Sequence, residues 1–463
     1  MHTGGRESLR MGPTIHQVAL STDLYELTMA ASYHALGMRG RAVFSLYVRK
    51  LPPHRSFLVV AGITEALQYL EQLRFDDEAL AYLRSLPMLP RDFVDSLADF
   101  RFTGDVWAVR EGTVLFPEEP VLEVEAPILE AQLIETLIIN AIHYPSLVAT
   151  KAARCRLAAP GKVLVDFGLR RTPSLDAGLA AARAAYLAGF ASTSNVLAGE
   201  RYGIPVTGTV AHSFIEAFPS ELDAFRAFAR TYPGDPVLLI DTYDTLRGAQ
   251  HAVQVARELR AEGRQVRAVR LDSGDLAELS RQVRRILDEA GFPEIQIFAS
   301  GGLDEFELAA LTAAGAPIDG YGVGSRLGTS EDAPLVDMAY KLVEYEGRPT
   351  LKLSTGKQTL VGPKQVWRHT GPDGRFDQDL IAARDEPTPG PDWQPLLQPV
   401  MREGQLLDLP SLPELRAEHL ADMERLPEAL RRIDRVEPYP VQLSPILRAR
   451  QQEAVAAIRA REG

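Results

Sequence analysis

Cysteine is almost missing from this chain: Cys155 is the single copy in 463 residues. An intramolecular disulfide and a cysteine-based zinc cluster are therefore excluded, and a reducing compartment, the cytoplasm, is the expected location. Positive charge is in deficit as well, with 50 Lys and Arg against 62 Asp and Glu and a formal net charge of −12. That balance argues against nucleic acid or an anionic membrane as the main partner. No apolar run reaches the ~18 residues of a membrane span, and the start of the chain up to Gln17 lacks the apolar middle of a signal peptide. Fixed-period repeats and low-complexity tracts are absent too. Two nucleotide fingerprints fail: Gly356–Lys357–Gln358 misses the P-loop at both ends, and Gly322–Val323–Gly324 has no third glycine three residues on. Any ATP used here is not held in a P-loop.

What remains is an ordinary globular composition, 46% hydrophobic and 24% charged, long enough for two to four domains with cores that need no staples. The middle of the chain alternates. Short apolar or β-branched runs fall at Val163–Phe167, Val206–Ala211, Val237–Ile240, Val266–Val269, Ile295–Ala299 and Gly320–Val323. Between the later ones lie helical patterns: Ala249, Val253, Ala256 and Leu259 before Gly263; Leu276, Leu279, Val283, Ile286 and Leu287 before Gly291; and a segment from about Leu303 to Gly315. Strands alternating with helices of this length predict right-handed βαβ units and a parallel sheet, and six units favour a barrel.

Each run ends in a polar or glycine-rich cluster. They are Asp166–Arg171, Gly208–Ser213, Asp241–Asp244, Arg270–Asp275, Ser300–Gly302 and Gly322–Ser325. Active sites of α/β barrels lie at the carboxyl ends of the strands. Polar residues also mark turns, yet turns alone do not call for Arg, His and acids at one strand end after another. As chemistry, the mouth reads as an anion site. Gly301–Gly302 and Gly322–Gly324 let backbone N–H groups approach a phosphate, and Arg170 and Arg270 add bidentate donors. Asp241, Asp272 and Asp275 suit sugar hydroxyls or the water ligands of Mg²⁺. His212, just past a run, suits nucleophilic or acid–base work, although a lone histidine is more often structural. The residues alone reach a phosphosugar enzyme with a candidate catalytic histidine.

Several segments then resemble the nicotinate phosphoribosyltransferase family, in order and spacing. They are Thr22–Met29, Phe167–Arg171, Thr193–Gly199, Gly208–Ser213, Asp241–Thr245, Arg270–Asp275 and Lys364–Arg368. The resemblance runs from about residue 20 to the final helix. It implies an α/β fold: an incomplete α/β barrel with an N-terminal α/β domain and a C-terminal helical extension. The expected boundaries are a tail over 1–17, with Met11 as an alternative start, then 18–155, a barrel over 156–350 carrying the site, and 351–463.

The resemblance further implies that nicotinate and phosphoribosyl pyrophosphate give nicotinate mononucleotide and pyrophosphate in NAD salvage, with ATP as co-substrate and Mg²⁺ as cofactor. It implies a homodimer with a shared site. Phe167 would stack on the pyridine and Tyr25 of a neighbouring subunit would close its other face. Arg170 and Arg270 would contact base and phosphosugar, and Asp241 and Asp272 the ribose or metal side. The Gly301–Gly302 and Gly322–Gly324 turns would hold the 5′-phosphate, with Ser300 and Ser325 also binding substrate, and ATP would phosphorylate His212. Arg49, Lys50 and Lys151 are weaker candidates for pyrophosphate, against the alternative that they are solvated surface charges. Phe190–Asn195 carries no acid where nicotinamide-using relatives carry an Asp, so the hydroxyls of Ser192, Thr193 and Ser194 would meet the carboxylate of nicotinate. A relative acting on nicotinamide or quinolinate, and a non-catalytic phosphosugar-binding barrel, are the alternatives. Beyond the barrel, Met338–Tyr345 is helix or strand, Lys352–Arg368 a strand pair turning near Gly356, Glu386–Pro399 a loop, and the rest helices.

Overall fold

The structure, a computed structural model, describes residues 15–354 and 359–462. Most of the expected N-terminal tail and the turn near Gly356 lie outside them. The chain forms two compact units, one of residues 151–332 and one of 1–150 with 333–463.

The central unit is built on a six-stranded sheet in which every recorded pairing is parallel. Its order is Ser192–Thr193, Val163–Asp166, Gly320–Val323, Gln296–Ser300, Ala268–Leu271, Val237–Leu239. The first strand in sequence pairs with the last, and successive strands are neighbours except Ser192–Thr193 and Val237–Leu239, which form the two edges. This is the connectivity of a ring. The ring stays open between Val206, which makes a lone parallel bridge to Thr193, and Val237. An incomplete α/β barrel is therefore what the topology describes.

The expected strand over Val206–Ala211 is reduced to that one bridge. Its partner, Ser192–Thr193, has only two residues to offer, and pairing stops after Thr207 N–H reaches Thr193 O at 3.0 Å. Helices Thr245–Ala261, Leu276–Glu289 and Glu305–Ala313 lie between the later strands, and each begins on an Asp that caps it. Asp244 accepts from Arg247 N–H, Asp275 from Glu278 N–H, and Asp304 from Phe306 and Glu307 N–H. Asp275 is thus a helix cap.

The other unit joins both ends of the chain. Its seven-stranded sheet has Arg41–Val48 between Pro120–Pro127 and Met338–Tyr345, both antiparallel to it. Met338–Tyr345 is therefore a strand, and the unit boundary falls at 332 instead of the expected 350. A strand that belongs with Arg41–Val48 cannot end the barrel. The C-terminal segment is likewise part of this unit rather than an extension of helices alone. Lys364–Thr370 pairs with Phe376–Ala383 and with Trp393–Pro395, so the expected strand pair within Lys352–Arg368 is replaced by pairing further along. The supposed loop Glu386–Pro399 contributes strand Trp393–Pro395 and the start of Gln398–Arg402. Helices Leu412–Arg425 and Pro445–Glu462 follow as expected. A single apolar core from Val18 to Leu447 holds this unit together, and buried ion pairs such as Arg368–Asp379 sit inside it.

Candidate active site

At the carboxyl ends of the central strands the polar clusters do converge. Arg270 stands near the end of strand Ala268–Leu271, and each nitrogen of its guanidinium makes a hydrogen bond. Nε donates to Ser300 Oγ at 2.8 Å, Nη1 to Thr209 Oγ1 at 2.8 Å, and Nη2 to Asp272 Oδ1 at 2.7 Å. The same group lies 5.2 Å from the centroid of the Phe167 ring, within cation–π range. Arg270 is thus a brace that fixes the plane beside Phe167.

Phe167 is seated by glycines. A Cβ on Gly322 would come within 2.5 Å of its ring, and one on Gly324 within 2.9 Å of its carbonyl oxygen. Those two glycines admit Phe167, a different reason from the phosphate approach expected of them. Phe298 packs beside the ring at 6.1 Å between centroids. Gly301 is required for another close approach: with φ +92°, its Cβ would lie 2.0 Å from the Asp272 carbonyl oxygen. Gly302, at φ +64°, has nothing within 4 Å of the same position. Its backbone faces open space.

Two carboxylates share the mouth. Asp241 Oδ2 accepts from the Asp272 backbone N–H at 2.9 Å and from Ser273 Oγ at 2.6 Å, which ties the two strand ends together. Its other oxygen, Oδ1, is buried with no protein partner. Burial pushes the Asp272 carboxyl up, but the Ser300 hydroxyl and the Arg270 charge, helped by His212, outweigh it and hold it below its ordinary value. Asp272 is ionised at neutral pH. His212 Nδ1 lies 3.1 Å from Thr242 Oγ1, and its Nε2 lies 3.9 Å from Asp272 Oδ2. The His212 side chain is 41% exposed. Thr242, Thr209 and Ser273 were not singled out in the sequence. Their signal was position, each next to or within a strand-end cluster.

On the other side of Phe167, Asp166 is buried and accepts from Gly168 N–H and Thr193 Oγ1, both at 2.7 Å. Burial, against those two bonds, raises its carboxyl. Thr193 also accepts from Asn195 N–H at 3.0 Å and is fully buried. Its hydroxyl proton is committed to Asp166, so Thr193 cannot donate to a base. Ser194 remains half-buried in the same turn, positioned by its N–H to Asp166 O. Arg170 and Ser325 are exposed, each following one of the loops around Phe167.

The weaker cationic candidates separate. Lys151 has no exposed side-chain surface and lies 2.7 Å from both Glu305 and Asp332. It is a neutralised core charge and is not placed to bind pyrophosphate as the sequence suggested. In the other unit, Arg49 reaches Asp337 at 3.0 Å and lies over the Tyr47 ring at 5.9 Å, while Lys50 is exposed. Tyr25, on helix Leu24–Ala35, is 47% exposed. Desolvation and the charges of Glu135, Glu26 and Asp23 push its hydroxyl up to about 12, so it stays neutral at any working pH.

The model of the nicotinate phosphoribosyltransferase (NAPRTase) family matches residues 163–354, its N-terminal domain 20–143 and its C-terminal domain 391–451. Nicotinate phosphoribosyltransferase pncB2 of Mycobacterium tuberculosis (strain H37Rv) is 50% identical over 432 residues, covering 93% of this chain and 92% of that protein. The chain belongs to the nicotinate phosphoribosyltransferase family. The Bacillus subtilis nicotinate phosphoribosyltransferase is 42% identical over 378 residues, 80% of this chain and 77% of its own. The crystal structure of human nicotinic acid phosphoribosyltransferase superposes with a TM-score of 0.85 at 32% identity, covering 93% of this chain and 99% of that one. In this family member the barrel, the strand-end carboxylates and the Phe167–Arg270 pair occupy one mouth.

Proposed function

We propose that this chain transfers the phosphoribosyl group from phosphoribosyl pyrophosphate to nicotinate, as a salvage step toward NAD. The observation that carries this reading is Arg270 braced beside Phe167 at one strand end, with an ionised Asp272 on the same guanidinium. Family membership at 50% identity supports the choice of substrates.

The chemistry follows from the charges. The pyridine nitrogen lone pair forms a bond to ribose C1 while the C1–O bond to pyrophosphate breaks and its electrons leave with pyrophosphate. Positive charge builds on the sugar ring between these events, and fixed carboxylates stabilise it. Asp272 supplies that charge, and Asp241 holds Asp272 by its backbone. Phe167 offers a flat face to the pyridine, and Ser194 and Arg170 are the free donors nearest in sequence for its carboxylate. The Ser300–Gly302 loop, with Gly302 open, and Ser325 receive the 5′-phosphate in this reading.

The donor set also suits Mg²⁺. Among the described residues no cluster of three or more acidic, His or Cys side chains is arranged as a metal cage, and this ion is usually held by one or two carboxylates plus substrate phosphates. The partnerless Asp241 Oδ1 and the outer oxygen of Asp272 are the groups that would hold it, where it would neutralise the departing pyrophosphate.

ATP coupling through His212 is part of the same proposal. With Nδ1 engaged by Thr242, Nε2 attacks the γ-phosphorus of ATP, the bond to the ADP oxygen breaks, and ADP departs. Water later cleaves the phosphohistidine to phosphate. The added charge acts locally on Mg²⁺ and pyrophosphate binding. In His212→Ala, incubation with γ-labelled ATP leaves no label on the protein, and residual transfer loses its ATP stimulation. Label uptake equal to wild type would remove His212 from this role.

We further propose a homodimer with a shared site. The support is an exposed apolar set, Leu24, Tyr25 and Met29, on one helix, of the kind that a second copy covers. A cytoplasmic location fits the lone, buried and unpaired Cys155, and no helix among the described residues is long and apolar enough to cross a membrane.

A further inference from the structure

We propose that Asp304 and Arg326 form a clamp that sets the spacing of the two loops receiving the sugar 5′-phosphate. The inference rests on the phosphoribosyl reading above and deepens it. Both are positioning residues that act through the loops they tie together.

The two loops come from neighbouring strands. Ser300–Gly301–Gly302 follows strand Gln296–Ser300, and Gly324–Ser325 follows Gly320–Val323, its parallel partner. Beyond the last paired residues, Ser300 and Gly322, the sheet no longer fixes how far apart the loops stand. Asp304 lies just past the first loop and Arg326 just past the second. Arg326 Nη1 donates to Asp304 Oδ2 at 2.9 Å. The other oxygen, Oδ1, accepts the N–H groups of Phe306 and Glu307, both at 3.0 Å. One carboxylate thus caps helix Glu305–Ala313 and grips the opposite loop.

The grip is firm on both sides. The Asp304 side chain is only 11% exposed, so this ion pair is screened less than a surface pair. Next to it, the fully buried Glu305 accepts from Lys151 at 2.7 Å and from Arg154 at 3.0 Å, which pins the start of the helix to the helix Glu135–Ala158. Arg326 also lies 3.4 Å from Glu331 and 3.8 Å from Glu307. Against desolvation, the Asp304 hydrogen bond and charge, with smaller help from Glu331 and Glu307, raise the Arg326 guanidinium above its ordinary value. With so many acids around it, Arg326 is itself spoken for, and its part is to fix the turn carrying Ser325. A phosphate bridging two loops is sensitive to their separation, since misplacement by about 1 Å can cost on the order of 10²-fold.

The test uses binding of ribose 5-phosphate, read by calorimetry, alongside steady-state kinetics. Asp304→Asn keeps the acceptor for the helix cap and removes the charge that Arg326 grips. The expected result is at least about a tenfold loss in ribose 5-phosphate affinity, a matching rise in KM for phosphoribosyl pyrophosphate, and an unchanged KM for nicotinate. Arg326→Lys should recover part of the loss seen in Arg326→Gln. Combining Asp304→Asn with Arg326→Gln should cost no more than the worse single change, as for one shared contact. Unchanged ribose 5-phosphate affinity in both single variants, or equal damage to both KM values, overturns the clamp. So does a wild type that fails to bind ribose 5-phosphate. A wild type that binds ribose 5-phosphate yet does not transfer the phosphoribosyl group of phosphoribosyl pyrophosphate to nicotinate sinks the functional reading, while the affinity comparison still decides the clamp.

Discussion

Replacing Asp272 by Asn lowers kcat/KM for phosphoribosyl transfer by roughly 10²–10³-fold, the loss expected when one fixed electrostatic group facing a developing charge is removed. Asn keeps the size and an acceptor for Arg270 and Ser300, so the brace at Phe167 survives and the KM for nicotinate changes little. The charge is what disappears. Its depressed titration also sets a pH sign. The ionised form is fully present above the ordinary Asp range of ~3.9, and its contribution to stability is complete there. That contribution is lost only as pH falls through the lower value of the folded protein. Any loss of activity with acid above pH ~5 therefore belongs to another group. Steady-state rates for the variant check the claim, and a kcat/KM within tenfold of wild type would refute the role given to Asp272.

Gly301→Ala is expected to cost stability on a scale that its neighbour does not share. The new Cβ would sit 2.0 Å from the Asp272 carbonyl oxygen, and φ is +92°. Overpacking against backbone costs about 1–3 kcal/mol, and a left-handed L-residue adds about 1–2. At ~2–4 °C per kcal/mol for a unit of this size, Tm falls by roughly 4–20 °C. Gly302→Ala carries the left-handed cost alone, because nothing lies within 4 Å of its Cβ position. Thermal unfolding of the two variants side by side separates them. Equal losses would mean that the Gly301 approach is not as tight as described.

The barrel was readable because its signals are local. Gly320–Val323 matches its strand without correction, and the helices after Asp244, Asp275 and Asp304 announce themselves by apolar spacing and a capping acid. Strand-end polarity is local too, which is why Arg270, Asp272, Asp241 and His212 emerged together. Lys151 shows where such reading stops. A Lys on an alanine-rich helix face looks like a free cation, but its partners Glu305 and Asp332 are 154 and 181 residues away. Met338–Tyr345 has the same difficulty, since its strand partner Arg41–Val48 lies nearly 300 residues earlier. Thr193 illustrates a subtler case: its hydroxyl looks available in sequence, yet the buried Asp166 consumes it. Gly322 and Gly324 read in sequence as phosphate turns; in the fold Gly322 makes room for the Phe167 ring and Gly324 for its backbone carbonyl. In each case the residue was visible and the partner was not.

Base selection tests the central claim most directly, by measuring kcat/KM with phosphoribosyl pyrophosphate for nicotinate, nicotinamide and quinolinate. The turn at Ser194 carries no acid. Its free hydroxyl suits a carboxylate, and a buried amide left without its acceptor loses ~1–3 kcal/mol. The account predicts that nicotinate is preferred over nicotinamide by at least about tenfold, the equivalent of ~1.4 kcal/mol. It also predicts that Ser194→Asp narrows the ratio by weakening nicotinate. No transfer to nicotinate, or equal use of nicotinate and nicotinamide by the wild type, would contradict it.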